Sequence, residues 1–449
     1  MTESRPSPSR TQLRRAVLSS YLGSVIEYYD FLLYATAAAV VFNQVFFSTL
    51  DPLAGTVFSF GTLATGYVAR PIGGIVFGHF GDRLGRKKML ITTMSLMGVA
   101  SIVIGLLPGY ATIGIWAPIL LTLMRIAQGV AVGGEWAGAV LLSAEHATSR
   151  RGLWASFTSA GAPSGLVLST LVLSAAAGAT SPQQFLDWGW RIPFLLSAVL
   201  LVAGLVVRAT VEEPPVFREV DTTAGPAPIV EVVQRYPRNI ALAVGIGLSA
   251  FVAQSTLTTF VVTYAVQHGF PRPTVLNALT IASAGAIVGI LAFSALSDRL
   301  GRRPVVMGGA IVMAGYAFAL FPLIDTGSPG MLVLALVLPL AVIHPAMYGP
   351  LGALYAELFS TRTRYTGASL AYQIAGVGAG LAPLLFAALF SSTGGTDTLA
   401  ISGIIAACCL LTVGCTLGTA ETRDVDLADE PRPIGPAKAG PPAADLPAG

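Results

Sequence analysis

Gly78-His79-Phe80-Gly81-Asp82-Arg83-Leu84-Gly85-Arg86-Lys87-Lys88 is a short, highly charged turn between two long apolar segments. A second copy of this turn, Ser297-Asp298-Arg299-Leu300-Gly301-Arg302-Arg303, lies in the second half of the chain, again between apolar segments. A charged turn that recurs in corresponding places indicates duplication of one membrane unit. Such repeats are typical of secondary transporters, whose two halves face each other across a central site.

The composition excludes a water-soluble globular protein. The 449 residues are 54% hydrophobic and only 11% charged, against roughly 25% charged in soluble domains. A helix needs about 20 apolar residues to cross a bilayer, and the chain has twelve apolar runs of about this length or more. We place them at Ala16–Phe42, Thr56–Phe80, Met89–Leu107, Ile115–Leu142, Leu153–Ala177, Ile192–Val207, Ile240–Val266, Leu276–Leu296, Val305–Leu323, Met331–Leu354, Ala368–Leu389 and Leu399–Leu417.

The distribution of the 26 Lys and Arg residues predicts the orientation of these spans. Because the number of spans is even, both termini lie on the same side of the membrane. All but four of the basic residues fall in the tails and loops on that side, when Arg208 is counted with the central loop. Arg191 and Arg272 fall on the other side, whereas Arg70 and Arg125 fall within segments. Because cytoplasmic loops are rich in Lys and Arg, we expect both termini in the cytoplasm. The net charge of +3 follows from this topology and does not indicate a nucleic-acid partner.

The predicted fold is all-α, with twelve transmembrane helices in two six-helix bundles related by pseudo-two-fold symmetry. We expect the first bundle at residues 1–208, a Pro-containing cytoplasmic loop at 209–238, and the second bundle at 239–420. The last stretch, residues 421–449, is rich in Pro, Ala and Asp. This composition is typical of disorder, so we expect a disordered cytoplasmic tail.

The first segment carries two carboxylates, and Glu27, Asp30 and Tyr34 share one helical stripe. Glu27 lies about 16 Å into the segment at 1.5 Å per residue, which is near the middle of the bilayer. A charge at that depth costs about 3 kcal/mol or more, so it faces a partner or a watery cavity. Glu27 and Asp30 are therefore candidates for proton coupling or substrate contact. The alternative is an ion pair that only holds two helices together.

The fourth segment places a cation, an amide and a carboxylate on one face, at Arg125, Gln128 and Glu135. A guanidinium matches a carboxylate with two parallel hydrogen bonds, so Arg125 is a candidate for binding an anionic substrate. Gln128 and Tyr34 are further substrate-binding candidates, and Glu135 is a third proton-coupling candidate. The alternative is that Arg125 permanently neutralises Glu135 or one of the carboxylates of the first segment.

Polar side chains in the second half are candidates for shaping the substrate site. They lie in the seventh, tenth and eleventh segments. For each of them, a hydrogen bond between helices is as good an explanation as a contact with the substrate. These candidates are Gln254, His344, Tyr348, Tyr372 and Gln373.

A second pair of matching turns supports the repeat. Glu145 to Gly152 follows the fourth segment, and Glu357 to Gly367 follows the tenth, at nearly the same interval as the first pair. The recurrence of acidic with basic residues predicts ion pairs of a cytoplasmic gate, although plain positive-inside anchoring would also explain the basic residues. The gate candidates are Gly78, Asp82, Arg83, Gly85, Arg86, Glu145, Arg151, Asp298, Arg299, Arg302, Glu357 and Arg362.

The first turn resembles the signature of the major facilitator superfamily between its second and third helices. Further stretches resemble the metabolite:proton symporters of that superfamily, with the shikimate-type branch nearest: Glu27-Tyr28-Tyr29-Asp30-Phe31, Gly133-Gly134-Glu135-Trp136, Trp190-Arg191-Ile192-Pro193-Phe194 and Tyr365 to Gln373. The resemblance implies a proton-driven importer in a bacterial-type plasma membrane. It also implies that Asp82, Arg83 and Arg86 hold the halves together on the cytoplasmic side. Ser294 stands where the second copy of the signature would have its leading glycine.

The sequence therefore predicts a symporter for a small organic acid such as shikimate, acting as a monomer on a small molecule and protons within the lipid bilayer. A symporter for a zwitterionic osmolyte such as proline or betaine is the alternative, and a drug/proton antiporter is a weaker one, because the fifth segment lacks a Gly-Pro dipeptide. A membrane receptor or an enzyme is disfavoured. The sequence has no metal-ligand cluster or nucleophile motif, so we expect no cofactor and no metal.

Overall fold

The computed structural model describes residues 10–49, 52–147, 149–211, 227–392 and 398–427. Within these ranges the protein is built from twelve long helices. They are α1 (Arg10–Ala37), α2 (Pro52–Leu84), α3 (Arg86–Leu106), α4 (Trp116–His146), α5 (Arg151–Gly178), α6 (Arg191–Ala209), α7 (Pro237–Gln267), α8 (Arg272–Leu300), α9 (Arg302–Asp325), α10 (Pro329–Glu357), α11 (Arg364–Ser392) and α12 (Leu399–Leu417).

These helices have the length and composition of membrane spans. Ten of those in the described residues, α3 to α12, are long and apolar enough to cross a bilayer. The other two carry charged side chains at depth, Glu27 and Asp30 in α1 and Arg70 in α2. A helix satisfies its own backbone hydrogen bonds, which lipid cannot do. The predicted twelve-helix architecture is confirmed.

The two six-helix bundles meet through a few helices. The first half, α1–α6, packs against the second half, α7–α12, mainly where α2 contacts α11 and where α5 contacts α8. Within the first half, α2 and α4 approach to backbone contact at glycines. A β-carbon on Gly73 would collide with the carbonyl of Val130, and one on Gly129 would collide with Gly66. Small residues of this kind let membrane helices pack closely.

The described residues contain four π-helical turns that the apolar pattern did not predict. These turns are Ala38–Phe42 directly after α1, Phe185–Gly189 before α6, Thr256–Phe260 within α7 and Leu338–Ile343 within α10. Wider turns of this kind occur frequently at functional sites. α1 and α7 occupy corresponding places in the two halves, so the irregularity is part of the repeat.

Both copies of the charged turn have the same backbone conformation. Gly85 ends α2 with φ of 106°, and Gly301 ends α8 with φ of 103°, a region that only glycine adopts without strain. We call the side of the molecule that carries these two turns the terminal face. It also carries the α4–α5 and α10–α11 turns and the end of α12, because Arg303 donates to the Leu417 carbonyl.

The central loop and the tail contain structure that we did not predict. Residues 228–235 of the predicted loop form a short helix, Pro228–Arg235, which we call the linker helix, while residues 212–226 lie outside the described ranges. The expectation of a disordered tail from residue 421 is wrong for Glu421–Leu427, which packs on the terminal face through several hydrogen bonds. The remainder of the tail, 428–449, also lies outside the described ranges.

Candidate functional site

Arg125 is a fully buried cation in the middle of the first half. Its guanidinium carbon lies 3.8 Å from the ring centroid of Phe31 and 4.4 Å from that of Tyr34. Nη1 donates to Gln128 Oε1 at 3.1 Å, whereas Nε and Nη2 have no hydrogen-bond partner among the described residues. Gly66 leaves room for this side chain. The site therefore presents a cation with two unused donors, stabilised by two aromatic faces.

Hydrogen bonds extend from Arg125 through Gln128 to Ser101, because Gln128 Nε2 donates to Ser101 Oγ at 2.7 Å. Ser197 Oγ donates to Asp30 Oδ1 at 2.5 Å, and Asp30 Oδ2 has no hydrogen-bond partner among the described residues. In the described part of the chain no ion pair joins Arg125 to Asp30, or to either of the glutamates that we considered as its partners.

Glu27 and Glu135 line the same small cavity, but only one of them has partners. Glu135 forms a close ion pair with Arg208 and accepts a hydrogen bond from Thr93 Oγ1 at 2.5 Å. Arg208 also donates to the carbonyl of Leu90. Glu27 is 5% exposed, and neither of its carboxylate oxygens has a hydrogen-bond partner among the described residues. The two carboxylates therefore differ: Glu135 has hydrogen-bond partners at both oxygens, whereas Glu27 has none among the described residues.

Arg208 lies inside the first bundle. We predicted that this bundle extends to residue 208 but counted the charge of Arg208 with the central loop. Because α6 continues to Ala209, Arg208 is only 2% exposed, and its charge does not belong to the loop.

Aromatic side chains from both halves meet next to these groups. Tyr28 of the first half lies within hydrogen-bonding distance of Tyr372 of the second half, at 3.3 Å between the hydroxyls, and Tyr372 bonds to Tyr348 at 2.7 Å. The ring of Trp136 stacks on Tyr372 with the centroids 3.5 Å apart. His344 is buried and stacks on Tyr348, and its Nε2 has no hydrogen-bond partner among the described residues.

Arg70 and Gln373 form a polar link between the halves. Arg70 Nε donates to Gln373 Oε1 at 3.1 Å, and Gln373 Nε2 donates to the carbonyl of Gly133 at 3.0 Å. The hydrogen-bond partner of Arg70 Nε is therefore a neutral amide. Gln254 is half-buried on α7, and its backbone carbonyl accepts a hydrogen bond from Thr258 Oγ1 at 2.9 Å.

At the terminal face, Asp82 joins α2 to the start of α11. Its carboxylate accepts hydrogen bonds from the backbone N–H of Tyr365 at 3.1 Å and from the N–H and hydroxyl of Thr366 at 2.9 and 2.7 Å. Arg86 lies 3.7 Å from Asp82 and donates to the carbonyl of Thr361. A carboxylate at a helix N-terminus satisfies free N–H groups and complements the helix dipole.

A second cluster repeats this arrangement with the halves exchanged. Asp298 accepts from the backbone N–H groups of Gly152 and Leu153 at the start of α5, at 2.8 and 2.9 Å. Arg302 donates to Asp298 at 2.7 Å and to Glu357 at 3.2 Å. Each half therefore supplies an aspartate that binds the first turn of a helix in the other half.

The remaining gate candidates differ in the partners that the structure gives them. Glu145 does not pair with Arg151 of its own turn; it binds Arg86 at 3.3 Å and Arg364 at 2.9 Å. Arg151 instead binds Glu357 of the other half at 3.0 Å. Of the other candidates, Arg83 and Arg299 are exposed, and Arg362 binds Glu231 of the linker helix at 3.3 Å. Gly78 packs against the backbone of Thr366.

Sequence reasoning missed Arg364, although a signal for it was available. Arg364 opens α11 just as Arg151 opens α5, and the two residues play equivalent parts in the two clusters. The interval between them is close to that between Asp82 and Asp298, so superposing the two halves of the sequence would have paired them. Thr93, Ser101 and Ser197 gave no such signal, because hydroxyl residues are frequent in membrane helices.

Comparison with known proteins agrees with this geometry. The profile of the family described as Major Facilitator Superfamily matches residues 21–373 and 277–443. The structure of the proton:xylose symporter XylE bound to 6-bromo-6-deoxy-D-glucose superposes with a TM-score of 0.75, covering 93% of this chain and 98% of the other, at 18% identity. Two facing bundles with this fold define a membrane transporter rather than an enzyme.

Several curated relatives are similar over most of their length. The shikimate transporter of Escherichia coli (strain K12) is 39% identical over 390 residues, which is 85% of this chain and 89% of that protein. An inner membrane metabolite transport protein of the same strain is 40% identical over 423 residues, 92% and 95%. The proline/betaine transporter of Salmonella typhimurium is 35% identical over 398 residues, 85% and 79%. The chain belongs to the major facilitator superfamily, and within it to the metabolite:proton symporters.

Proposed function

We propose that the protein imports a small organic acid, such as shikimate or a related carboxylate, together with protons. The observation that carries this proposal is the Arg125 guanidinium, which is fully buried and has two nitrogen donors without partners among the described residues. A buried charge without a counter-ion is costly. A substrate carboxylate would supply both the charge and the two acceptors.

The same site contains groups suited to the rest of a small, ring-shaped acid. Tyr34 donates its hydroxyl to Thr62 at 2.6 Å and presents its ring to Arg125. Tyr372 and Gln373 reach the centre from the second half. A substrate held between Arg125 and these two groups would contact both bundles, which is what alternating access around a central site requires.

Glu27 is our candidate for the coupled proton. A buried carboxylate without hydrogen-bond donors is far less costly as the neutral acid than as the anion. Glu135 is less suited to this role because Arg208 and Thr93 already satisfy it as an anion. Asp30 accepts a hydrogen bond from Ser197 at one oxygen, and its other oxygen has no partner among the described residues, so Asp30 is the second candidate.

The two clusters at the terminal face are proposed as the gate. The bonds between the halves that the described residues make lie at this face and at mid-depth. This conformation therefore has its terminal side closed. The concentration of Lys and Arg on the same side supports a cytoplasmic location for this face and for both termini, in the inner membrane of a bacterium. One chain contains the complete site, so we expect the monomer to be the transport unit.

Uptake into membrane vesicles under an imposed pH gradient tests the proposal. Shikimate, proline and glycine betaine are offered separately, because the relatives named for shikimate and for proline/betaine represent the two substrate classes. We expect shikimate uptake that collapses with a protonophore in the wild type. Glu27→Gln should abolish the response to the pH gradient, while Asp187→Asn, which alters an exposed carboxylate, should not. Uptake of proline or betaine but not shikimate would favour the osmolyte alternative.

A further inference from the structure

Two carboxylates on neighbouring helices line one cavity in the first half, yet a single guanidinium is bonded to only one of them. Glu135 on α4 receives both terminal nitrogens of Arg208 and the hydroxyl of Thr93. Glu27 on α1 lines the same cavity with both oxygens buried and without partners among the described residues.

We propose that Arg208 is a positioning residue that keeps Glu135 ionised and so reserves Glu27 as the single proton carrier of this pair. The inference rests on the proposed function, in which Glu27 carries the coupled proton. With both glutamates ionised, Glu135 would keep its hydrogen bonds from Arg208 and Thr93, whereas the Glu27 anion would have no hydrogen-bond donor among the described residues, which is costly for a buried charge. A proton on Glu27 removes that cost. Arg208 decides which member of the pair binds the proton.

The position of Arg208 is built into three other helices. Gly23 lies one turn before Glu27 on α1, and a β-carbon there would collide with the guanidinium. The carbonyl of Leu90 on α3 accepts a hydrogen bond from Arg208, and Glu135 on α4 supplies the counter-charge. Arg208 is thus held against Glu135 and is not free to follow Glu27.

The other charged or titratable groups around Glu27 give it no hydrogen bond. Arg70 on α2 acts on Glu27 electrostatically, but its Nε donates to the neutral amide of Gln373 on α11, and its Nη2 has no hydrogen-bond partner among the described residues. Tyr28, next to Glu27 on α1, hydrogen-bonds to Tyr372 on α11. Asp30, one turn further along α1, accepts a hydrogen bond from Ser197 of α6. The glycines of α5 that face α1, and Phe157 and Ser164, which contact it, carry no charge.

The test is an infrared pH titration of the full-length protein in lipid vesicles, which needs no substrate. The signal is the C=O stretch of protonated carboxyl groups, and Asp30→Asn identifies any contribution from Asp30. We expect a band in the wild type that is lost in Glu27→Gln. In Glu135→Gln the freed Arg208 can neutralise Glu27, so the Glu27 band should move to lower pH. In R208M a second band should arise from Glu135. In the double variant R208M/E135Q this second band should be absent, and the Glu27 band should titrate as in the wild type.

Two results would overturn the inference: a wild-type band that survives in E27Q but is lost in E135Q, or an R208M spectrum identical to that of the wild type. Removing one partner of a buried pair destabilises a protein, so R208K and G23A provide milder variants. R208K keeps the charge without the planar fork, and G23A displaces the guanidinium. Either variant that folds should show partial protonation of Glu135.

The infrared and transport measurements test the two proposals separately. If wild-type vesicles show no proton-coupled uptake of shikimate, the proposed function fails, whichever carboxyl group holds the proton. If wild-type uptake is proton-coupled but R208K, G23A and R208M leave the carboxyl titration unchanged, only the role of Arg208 fails.

Discussion

Replacing Asp82 with Asn should open the terminal face. The carboxylate accepts three hydrogen bonds from Tyr365 and Thr366 and lies 3.7 Å from Arg86. An asparagine places an NH2 group where one oxygen stood, so at least one N–H donor of α11 faces another donor. A hydrogen bond to a charged group contributes about 1.5–3 kcal/mol, and the lost charge at the helix N-terminus contributes about 0.3–1 kcal/mol more.

These terms together amount to about 3 kcal/mol, which lowers the equilibrium constant for closing this face about 100-fold. The loss concerns the conformational equilibrium and not the substrate site, so transport should fall while binding remains measurable. Asp298→Asn should have a comparable effect, because Asp298 accepts two backbone hydrogen bonds from α5 and pairs with Arg302.

Electron paramagnetic resonance distances between spin labels provide the assay. Leu84 and Leu300 are exposed ends of α2 and α8, one in each half, and suit the labels after replacement of the three free cysteines of α12. We expect one short distance in the parent and an added longer distance in D82N and D298N. Arg83→Gln is the matched control, since this neighbouring residue is exposed. Distributions that D82N and D298N leave unchanged, or that R83Q changes equally, would refute the gate assignment.

Three further predictions test the substrate site, the tail and the helix packing. Arg125→Lys should weaken binding of an organic acid about 10- to 100-fold, because lysine lacks the planar fork; titration calorimetry measures it, and equal affinity would exclude a bidentate contact. Thr422→Val removes a 2.6 Å hydrogen bond to Glu357 and should loosen the closed gate by about 1 kcal/mol, seen as a modest increase in the long spin-label distance. Gly73→Ala should destabilise the protein by about 1–3 kcal/mol, because the added methyl meets the backbone of α4. Gly61→Ala on the same helix, where nothing lies within 4 Å, should leave the melting temperature unchanged or raised, and equal melting temperatures for the two variants would contradict the packing argument.

Much of the fold could be predicted from local properties of the sequence. Apolar run length determines which segments can span a bilayer, and glycine at a positive φ after a charged helix end defines the turns at Gly85 and Gly301. Recurrence of the turns predicted the repeat, and the repeat predicted that Asp82 and Asp298 play equivalent parts. Helix periodicity also placed Glu27, Arg125 and Glu135 on inward-facing stripes, although it could not predict which helix each stripe faces.

The pairing of the charges was decided by tertiary structure. A charge attracts any neighbour of opposite sign, so the presence of Glu145 and Arg151 in one turn does not predict which arginine Glu145 binds. The packing of the two halves places Arg86 and Arg364 closer to Glu145 than Arg151. Likewise, Arg208 pairs with Glu135 because helix packing places the end of α6 next to the cavity that α1 and α4 line. Sequence alone determined which segments enter the membrane, since that depends on each segment's own transfer into lipid. Only the packed bundle determined which charges remain without partners, because that depends on distances between helices.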